Sequence, residues 1–122
     1  MKIDGACHCG SITYRAEVDP DKVLICHCTD CQTLSGTAYR TVTFAEDGSF
    51  ELLSGALKTY IKLNHSGRPR AQTFCPECGS PIYSATPGDN PTSIGIRVGT
   101  CRQRDRLRPS RRYWCGSAQG WS

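Results

Sequence analysis

Cysteine is the residue type whose number and spacing in this sequence point most directly to chemistry. The 122 residues include nine cysteines, and seven of them fall in tight CxC and CxxC groups. Thiols so close in sequence converge on one metal ion more readily than they reach distant partners. The odd total and the lack of an apolar leader argue against a disulfide scaffold. The absence of a run of about 20 apolar residues argues against a membrane partner. We therefore expect reduced thiolates and a cytoplasmic protein.

The segment CPECGSP, residues 75–81, predicts half of a structural zinc site. Proline fixes one backbone angle of the turn, and Gly79 can take the positive φ that closes it. Because zinc in structural sites takes four tetrahedral ligands, a second pair is required. The CxC group, which is also followed by glycine, can supply that pair, whereas a redox CxxC needs a strand–CxxC–helix context that this sequence lacks. The predicted ligands are Cys7, Cys9, Cys75 and Cys78.

Cys26, Cys28 and Cys31 lie in one short segment and form a second candidate zinc site. Three protein ligands can recruit a fourth and become structural, or leave a position for water or substrate and become reactive. The sequence leaves both outcomes open, and a lone cysteine such as Cys101, at the end of an apolar strand, is more often a small buried hydrophobe than a ligand. The candidate fourth ligands are Cys101, Cys115, His27, Asp30 and His65.

The rest of the chain predicts an all-β fold that positions these groups. Short segments rich in Val, Ile, Thr, Tyr and Phe alternate with a period of two and are separated by Gly, Pro, Asp and Asn. Residues 29–36 predict a helical turn that Gly36 ends, and 1–122 reads as a single domain. Because apolar residues make up only 38%, metal binding should add to a thin core. The predicted strands are 11–18, 22–26, 38–44, 50–54, 57–63, 71–75, 81–85 and 93–98.

Charge is unevenly distributed along the sequence. The net charge of +4 combines −2 over residues 1–65 with +6 over residues 66–122, and six arginines lie within 101–112. Arginines in this region, from about residue 97 to 112, could hold the carboxylates of a substrate or the phosphates of a nucleic acid. Nucleic acid is the less favoured partner, because only Tyr113 and Trp114 adjoin the arginines and offer few surfaces for base stacking. A solvated loop without a partner explains the cluster equally well.

Six segments, in order, resemble the glutathione-dependent formaldehyde-activating enzyme family, which also includes centromere protein V. The resemblance covers about residues 5–121, and the ordered combination CxCG, CxCxxC and CxxCGSP is far more specific than any single CxxC. The chain is short for the family, so contacts that terminal segments make to glutathione in longer members are expected to be missing. The segments are GACHCGSITYRAE, ICHCTDCQTLSGTAY, FELLSGALKTYIK, TFCPECGSPIYS, IGIRVGT and RRYWCGSAQGW.

The resemblance implies a β-tent, in which antiparallel sheets fold over one another and zinc staples them. It assigns a structural zinc to Cys7, Cys9, Cys75 and Cys78, and a catalytic zinc with an open fourth position to Cys26, Cys28 and Cys31. The implied activity is that of a carbon–sulfur lyase, in which glutathione adds to formaldehyde to give S-hydroxymethylglutathione.

Three functions therefore compete. The first is a zinc enzyme that holds a substrate thiol, such as glutathione, at the open position of the second site. The second is a non-catalytic zinc module that contacts nucleic acid or protein through its arginine-rich C-terminal half. The third is a structural protein in which Cys101 or Cys115 closes the second site.

Overall fold

Short strands dominate the structure. The computed structural model describes all 122 residues, and none of its helices has the length and apolar character needed to cross a bilayer. Three 3₁₀ turns lie at Val98–Thr100, Arg104–Arg106 and Cys115–Ser117. The regular elements are β1 (Lys2–Ala6), β2 (Thr13–Cys26), α1 (Thr29–Ser35), β3 (Arg40–Ala45), β4 (Glu51–Ser54), β5 (Lys58–Leu63), β6 (Pro69–Phe74), β7 (Pro81–Ala85), β8 (Gly95–Arg97) and β9 (Arg111–Tyr113).

The long strand β2 belongs to two groups of strands. Its first half pairs with β1 and β4 in antiparallel fashion, and its second half pairs antiparallel with β3 and parallel with β9. The β2–β3 register shifts between Val18 and Val23, around Pro20, which has no N–H to donate to a neighbouring strand. Beyond β3 the sheet continues in the order β8, β7, β6, β5. The expected all-β, tent-like fold is confirmed.

A small core fills the space between these strands. Tyr14 is fully buried, and its hydroxyl lies 2.7 Å from Thr100 Oγ1 and 3.2 Å from Cys101 Sγ. Burial raises the pKa of Tyr14 above its usual range. Cys101 is itself 0% exposed and belongs to the core cluster, which confirms its interpretation as a small buried hydrophobe. Also fully buried are Ile12, Val18, Val23, Cys75, Ile82, Ile96 and Leu107.

Most predicted elements are present, with two differences. The predicted strands 11–18 and 22–26 form one continuous strand, because β2 tolerates an irregularity around Pro20 rather than ending there. Strands β1 and β9 were not predicted, since their sequences are charged or glycine-containing and become strands only by pairing with β2. The helical turn is confirmed as α1, and Gly36 ends it with a φ of 71°.

Gly5 of β1 lies where the chain packs too closely to leave room for a side chain. A Cβ at this position would collide with the Thr100 carbonyl oxygen and the Tyr14 ring. We expect Gly5→Ala to lower the free energy of unfolding by about 1–3 kcal/mol, as overpacking of a core typically does. Urea denaturation measures this change. Gly99→Ala is the control, because a Cβ there meets nothing within 4 Å, and equal stability of the two variants would contradict the prediction.

Candidate metal centres

The first cysteine group has the dimensions of a tetrahedral metal site. The sulfurs of Cys7, Cys9, Cys75 and Cys78 all lie within 4.8 Å of one another. Cys9 Sγ is 3.6 Å from Cys7 Sγ and 3.8 Å from Cys75 Sγ. A tetrahedral zinc with sulfurs at about 2.3 Å separates those sulfurs by about 3.8 Å. The four sulfurs are therefore positioned to share one ion of that size.

Two turns present these sulfurs to each other. One follows β1 and the other follows β6, and in the second Gly79 adopts a φ of 78°. The Gly79 N–H donates to the Cys75 carbonyl at 2.8 Å, which closes the turn. The His8 N–H donates to Ser80 Oγ at 3.1 Å and joins one turn to the other. These hydrogen bonds align two chain segments that lie far apart in sequence.

The surroundings of this group lower the pKa of two of its thiols, Cys7 and Cys78, and raise that of Cys9. The first cysteine of each pair is buried and the second is exposed. Burial acts to raise the pKa of Cys7, but hydrogen bonds from the Ile12 N–H, at 3.3 Å, and from Ser11 outweigh it and the pKa is lowered. The hydroxyl and N–H of Ser80 hold the pKa of Cys78 at about 5. Thiolate is the form that binds metals.

The second cysteine group is a triangle at the junction of β2 and α1. The sulfurs of Cys26, Cys28 and Cys31 lie within 4.8 Å of one another. Cys26 is the last residue of β2, and Cys28 is the N-cap of α1, whose Sγ accepts the Cys31 N–H at 3.2 Å. Cys28 is buried, and the other two are half-buried. The end of a strand and the start of a helix therefore set the triangle.

None of the residues of α1 is buried, so apolar packing does not fix the helix. Polar contacts hold it in place instead. Gln32 Nε2 donates to the carbonyls of His27 and Ser117, both at 2.9 Å, and Gln32 Oε1 accepts from Gln119 at 2.8 Å. In the first turn of the helix, Asp30 accepts from Lys62 Nζ at 2.8 Å. These contacts come from two other parts of the chain, and together they orient the two cysteines on or beside α1.

The three thiols of this triangle perturb one another. A hydrogen bond from Cys31 is the main cause that lowers the pKa of Cys26 to about 5, and the charge of Arg40 adds to it. The pKa of Cys31 is raised, first by its hydrogen bond to Cys26 and then by burial. Ionisation of Cys26 therefore opposes ionisation of Cys31, and a cation bound between the sulfurs would stabilise the thiolates.

No fourth histidine, cysteine or carboxylate ligand joins this triangle within the same 4.8 Å. The buried ring of His27 packs against Tyr39, and the ring of His65 lies 4.9 Å from that of Trp114. The carboxylate of Asp30 is engaged by Lys62, which lowers its pKa. None of the five residues that the sequence named as possible fourth ligands joins the triangle: Cys101, Cys115, His27, Asp30 and His65.

A cavity of about 240 Å³ opens on the triangle, and all three cysteines line it. Its apolar wall includes Leu24, Val42 and Phe44. The three sulfurs therefore face a space in which a small molecule could reach them. The first group, by comparison, does not line this cavity.

Three arginines that the sequence did not mark as a group line the same cavity: Arg40, Arg70 and Arg97. Sequence reasoning pointed to the region 97–112, but only Arg97 of that region reaches the cavity, and the six arginines of 101–112 are exposed. The sequence did contain a signal for Arg40. Arg40 lies two residues before Val42 on β3, so both side chains point to the same, buried face of the strand. An arginine at such a position needs an explanation.

Comparisons with known proteins extend these observations. The family described as "Glutathione-dependent formaldehyde-activating enzyme" matches residues 2–117. Among curated proteins, no sequence is significantly similar to this chain. Among solved structures, the crystal structure of a Rhodobacter sphaeroides protein is similar with a TM-score of 0.66 and 21% identity, over 89% of this chain and 98% of that chain. That likeness bears on the fold alone.

The family match covers nearly the whole chain, and both cysteine groups lie inside it. The fold, the two groups of converging sulfurs and the matched sequence are in agreement. The chain belongs to the glutathione-dependent formaldehyde-activating enzyme family.

Proposed function

We propose that this protein is a zinc enzyme of the carbon–sulfur lyase class that joins a small thiol to an aldehyde, or releases the two from their adduct. The observation that carries the proposal is the triangle of Cys26, Cys28 and Cys31, which lines a cavity and has no fourth protein ligand. Membership of the family supports a thiol such as glutathione and an aldehyde such as formaldehyde as the substrate pair.

Both cysteine groups suit zinc, because thiolate ligands favour this ion over the harder divalent cations. Cys7, Cys9, Cys75 and Cys78 would form the closed structural site, with sulfur separations that match tetrahedral zinc. Cys26, Cys28 and Cys31 would hold a second ion and leave a position free. At that position, bound zinc would stabilise a substrate thiolate at neutral pH.

The chain's own residues would bring the reactants together. The apolar side chains of Leu24, Val42 and Phe44 line the cavity beside the triangle, and confinement there would orient thiol and aldehyde. In the forward reaction the thiol sulfur attacks the carbonyl carbon, a C–S bond forms as the C=O π bond breaks, and the thiol proton ends on the former carbonyl oxygen. The reverse reaction cleaves that C–S bond and regenerates both reactants.

The proposal requires reduced thiols, and all nine cysteines are free. Free thiols persist in the reducing conditions of the cytoplasm. We therefore assign the activity to that compartment.

Metal content tests the two-site part of the proposal. We expect two zinc ions per chain by elemental analysis, one in Cys28→Ser and two in Cys115→Ser, whose cysteine is exposed and outside both groups. Serine is a good N-cap, so Cys28→Ser removes a ligand while the start of α1 keeps its hydrogen-bond acceptor. Cys9→Ser should lose the other ion and unfold at a lower temperature, because that site links distant turns. One zinc per wild-type chain would contradict the proposal.

Adduct formation tests the reaction itself. Exchange NMR with ¹³C-formaldehyde and glutathione measures how fast the thiol and its hydroxymethyl adduct interconvert, above the uncatalysed rate. In Cys28→Ser this rate enhancement should fall by a factor of at least about 10 to 100, since even removing a residue that hydrogen-bonds to a metal ligand has an effect of that size. Cys115→Ser is the matched control and should retain the wild-type rate. Equal rates for Cys28→Ser and wild type would remove the mechanism.

A nucleic-acid-binding module is the second candidate function, because all six arginines of 101–112 are exposed beside half-exposed Tyr113 and Trp114. Phosphate contacts by several arginines would make binding steeply salt-dependent. We expect no saturable binding of a fluorescent duplex in anisotropy titrations between about 50 and 200 mM salt. Tight binding that weakens by orders of magnitude over this range would favour the module instead.

A further inference from the structure

The arginines of the cavity form a cluster whose members come from neighbouring strands. Arg40 begins β3 and Arg97 ends β8, and these strands pair directly. Both side chains donate to one acceptor, Gln72 Oε1, at 3.2 Å from Arg40 and 2.9 Å from Arg97. Arg70 of β6 lies beside them and donates to the Ser93 carbonyl at 2.6 Å. The sheet thus gathers three guanidinium groups beside the sulfur triangle.

No carboxylate compensates this cluster. The three ion pairs of the structure join Arg15 to Glu51, Lys62 to Asp30 and Arg102 to Asp4, and none involves a cavity arginine. Yet Arg40 and Arg97 are only 6% and 9% exposed, and Arg97 Nε has no hydrogen-bond partner. Burial, with the nearby charge of Arg40, lowers the pKa of Arg97 to about 9. Buried unpaired charges destabilise a protein unless something else compensates them.

The sulfur triangle compensates only part of this charge. The three arginines carry +3, while three thiolates and a divalent ion sum to −1. A substrate thiolate at the triangle brings that sum to −2. One positive charge remains, since the Lys62–Asp30 pair is neutral as a whole. The cavity therefore has room, electrostatically, for one more negative group.

We propose that Arg40 and Arg97, held together by Gln72, form a carboxylate-binding subsite that selects substrates carrying an acidic group near the reacting atom. The inference rests on the proposed function, because it takes the triangle as the place of reaction. The planar fork of arginine binds a carboxylate through two hydrogen bonds. Both arginines line the cavity that opens on the triangle, which brings a bound acid close to the sulfurs. The acid can belong to the thiol or to the aldehyde.

Calorimetry on the zinc-loaded chain tests the subsite without requiring turnover. 3-Mercaptopropionate, 2-mercaptoethanol and cysteamine have similar short chains that end in a carboxylate, a hydroxyl and an ammonium group. We expect the carboxylate thiol to bind about 10- to 100-fold more tightly than the hydroxyl thiol, as charge-assisted hydrogen bonds allow, and cysteamine to bind most weakly. Zinc content is checked after each titration. A parallel arm compares glyoxylate with acetaldehyde in the presence of 2-mercaptoethanol.

Variants assign any preference to the two arginines. Arg40→Gln and Arg97→Gln should abolish the preference for the acid, and Arg97→Lys, which keeps the charge but loses the fork, should show an intermediate preference. Arg108→Gln is the matched control, because Arg108 is exposed and outside this cavity. Circular dichroism confirms that each variant is folded.

The outcomes separate the subsite from the proposed function. A preference for 3-mercaptopropionate places the acid on the thiol, and a preference for glyoxylate places it on the aldehyde; both support the subsite, even if no adduct forms and the proposed function fails. Equal binding of acidic and neutral ligands in both arms overturns it. So does a preference that persists in Arg40→Gln and Arg97→Gln. If these variants only lose zinc while wild type shows no preference, the arginines serve the thiolates alone and the proposal is wrong.

Discussion

The change of hydrogen-bonding partners along β2 fixes where both cysteine groups lie. The turn that carries Cys7 and Cys9 leads into this strand, and Cys26 is its last residue. A straight strand of its 14 residues would span about 46 Å, and the irregularity between Val18 and Val23 bends it into the two strand groups. The two sets of sulfurs are therefore held near opposite ends of one element, and they cannot share an ion.

The two groups differ in what the fold places opposite them. Cys7 and Cys9 meet a second sulfur-bearing turn, which β6 and β7 supply, and four ligands result. The triangle at the other end of β2 faces no such turn. Instead β3 and β8 direct arginine side chains into the space beside it. Where one group receives two further thiols, the other receives cationic side chains, and this difference separates four converging sulfurs from a cavity that can admit an anionic molecule.

Much of this arrangement could be read from the sequence, because its signals are local. The spacing of each cysteine group, the glycine after Cys78 and the alternation within the strands all act over a few residues. That the pair Cys7 and Cys9 would meet the pair Cys75 and Cys78 could also be inferred, since zinc in structural sites takes four ligands.

The remaining features depend on contacts between distant residues. Arg40 and Arg97 are separated by most of the middle of the chain and meet only because β3 pairs with β8. Nothing near Gln72 in the sequence indicates that it accepts from both. Strand β9 forms from an arginine-rich segment only because the end of β2 offers it a parallel neighbour. Such features follow from topology, which no short window of sequence contains.

The attachment of α1 through Gln32 makes the triangle depend on a distant segment of the chain. Two of the three sulfurs of the triangle depend on this short helix, and the helix is held partly by the chain around Ser117 and Gln119. That peripheral segment is exposed and contributes little to the core. Replacing Gln119 would remove a contact to Gln32 and so loosen the helix that bears on the triangle, without changing a cysteine or a core residue.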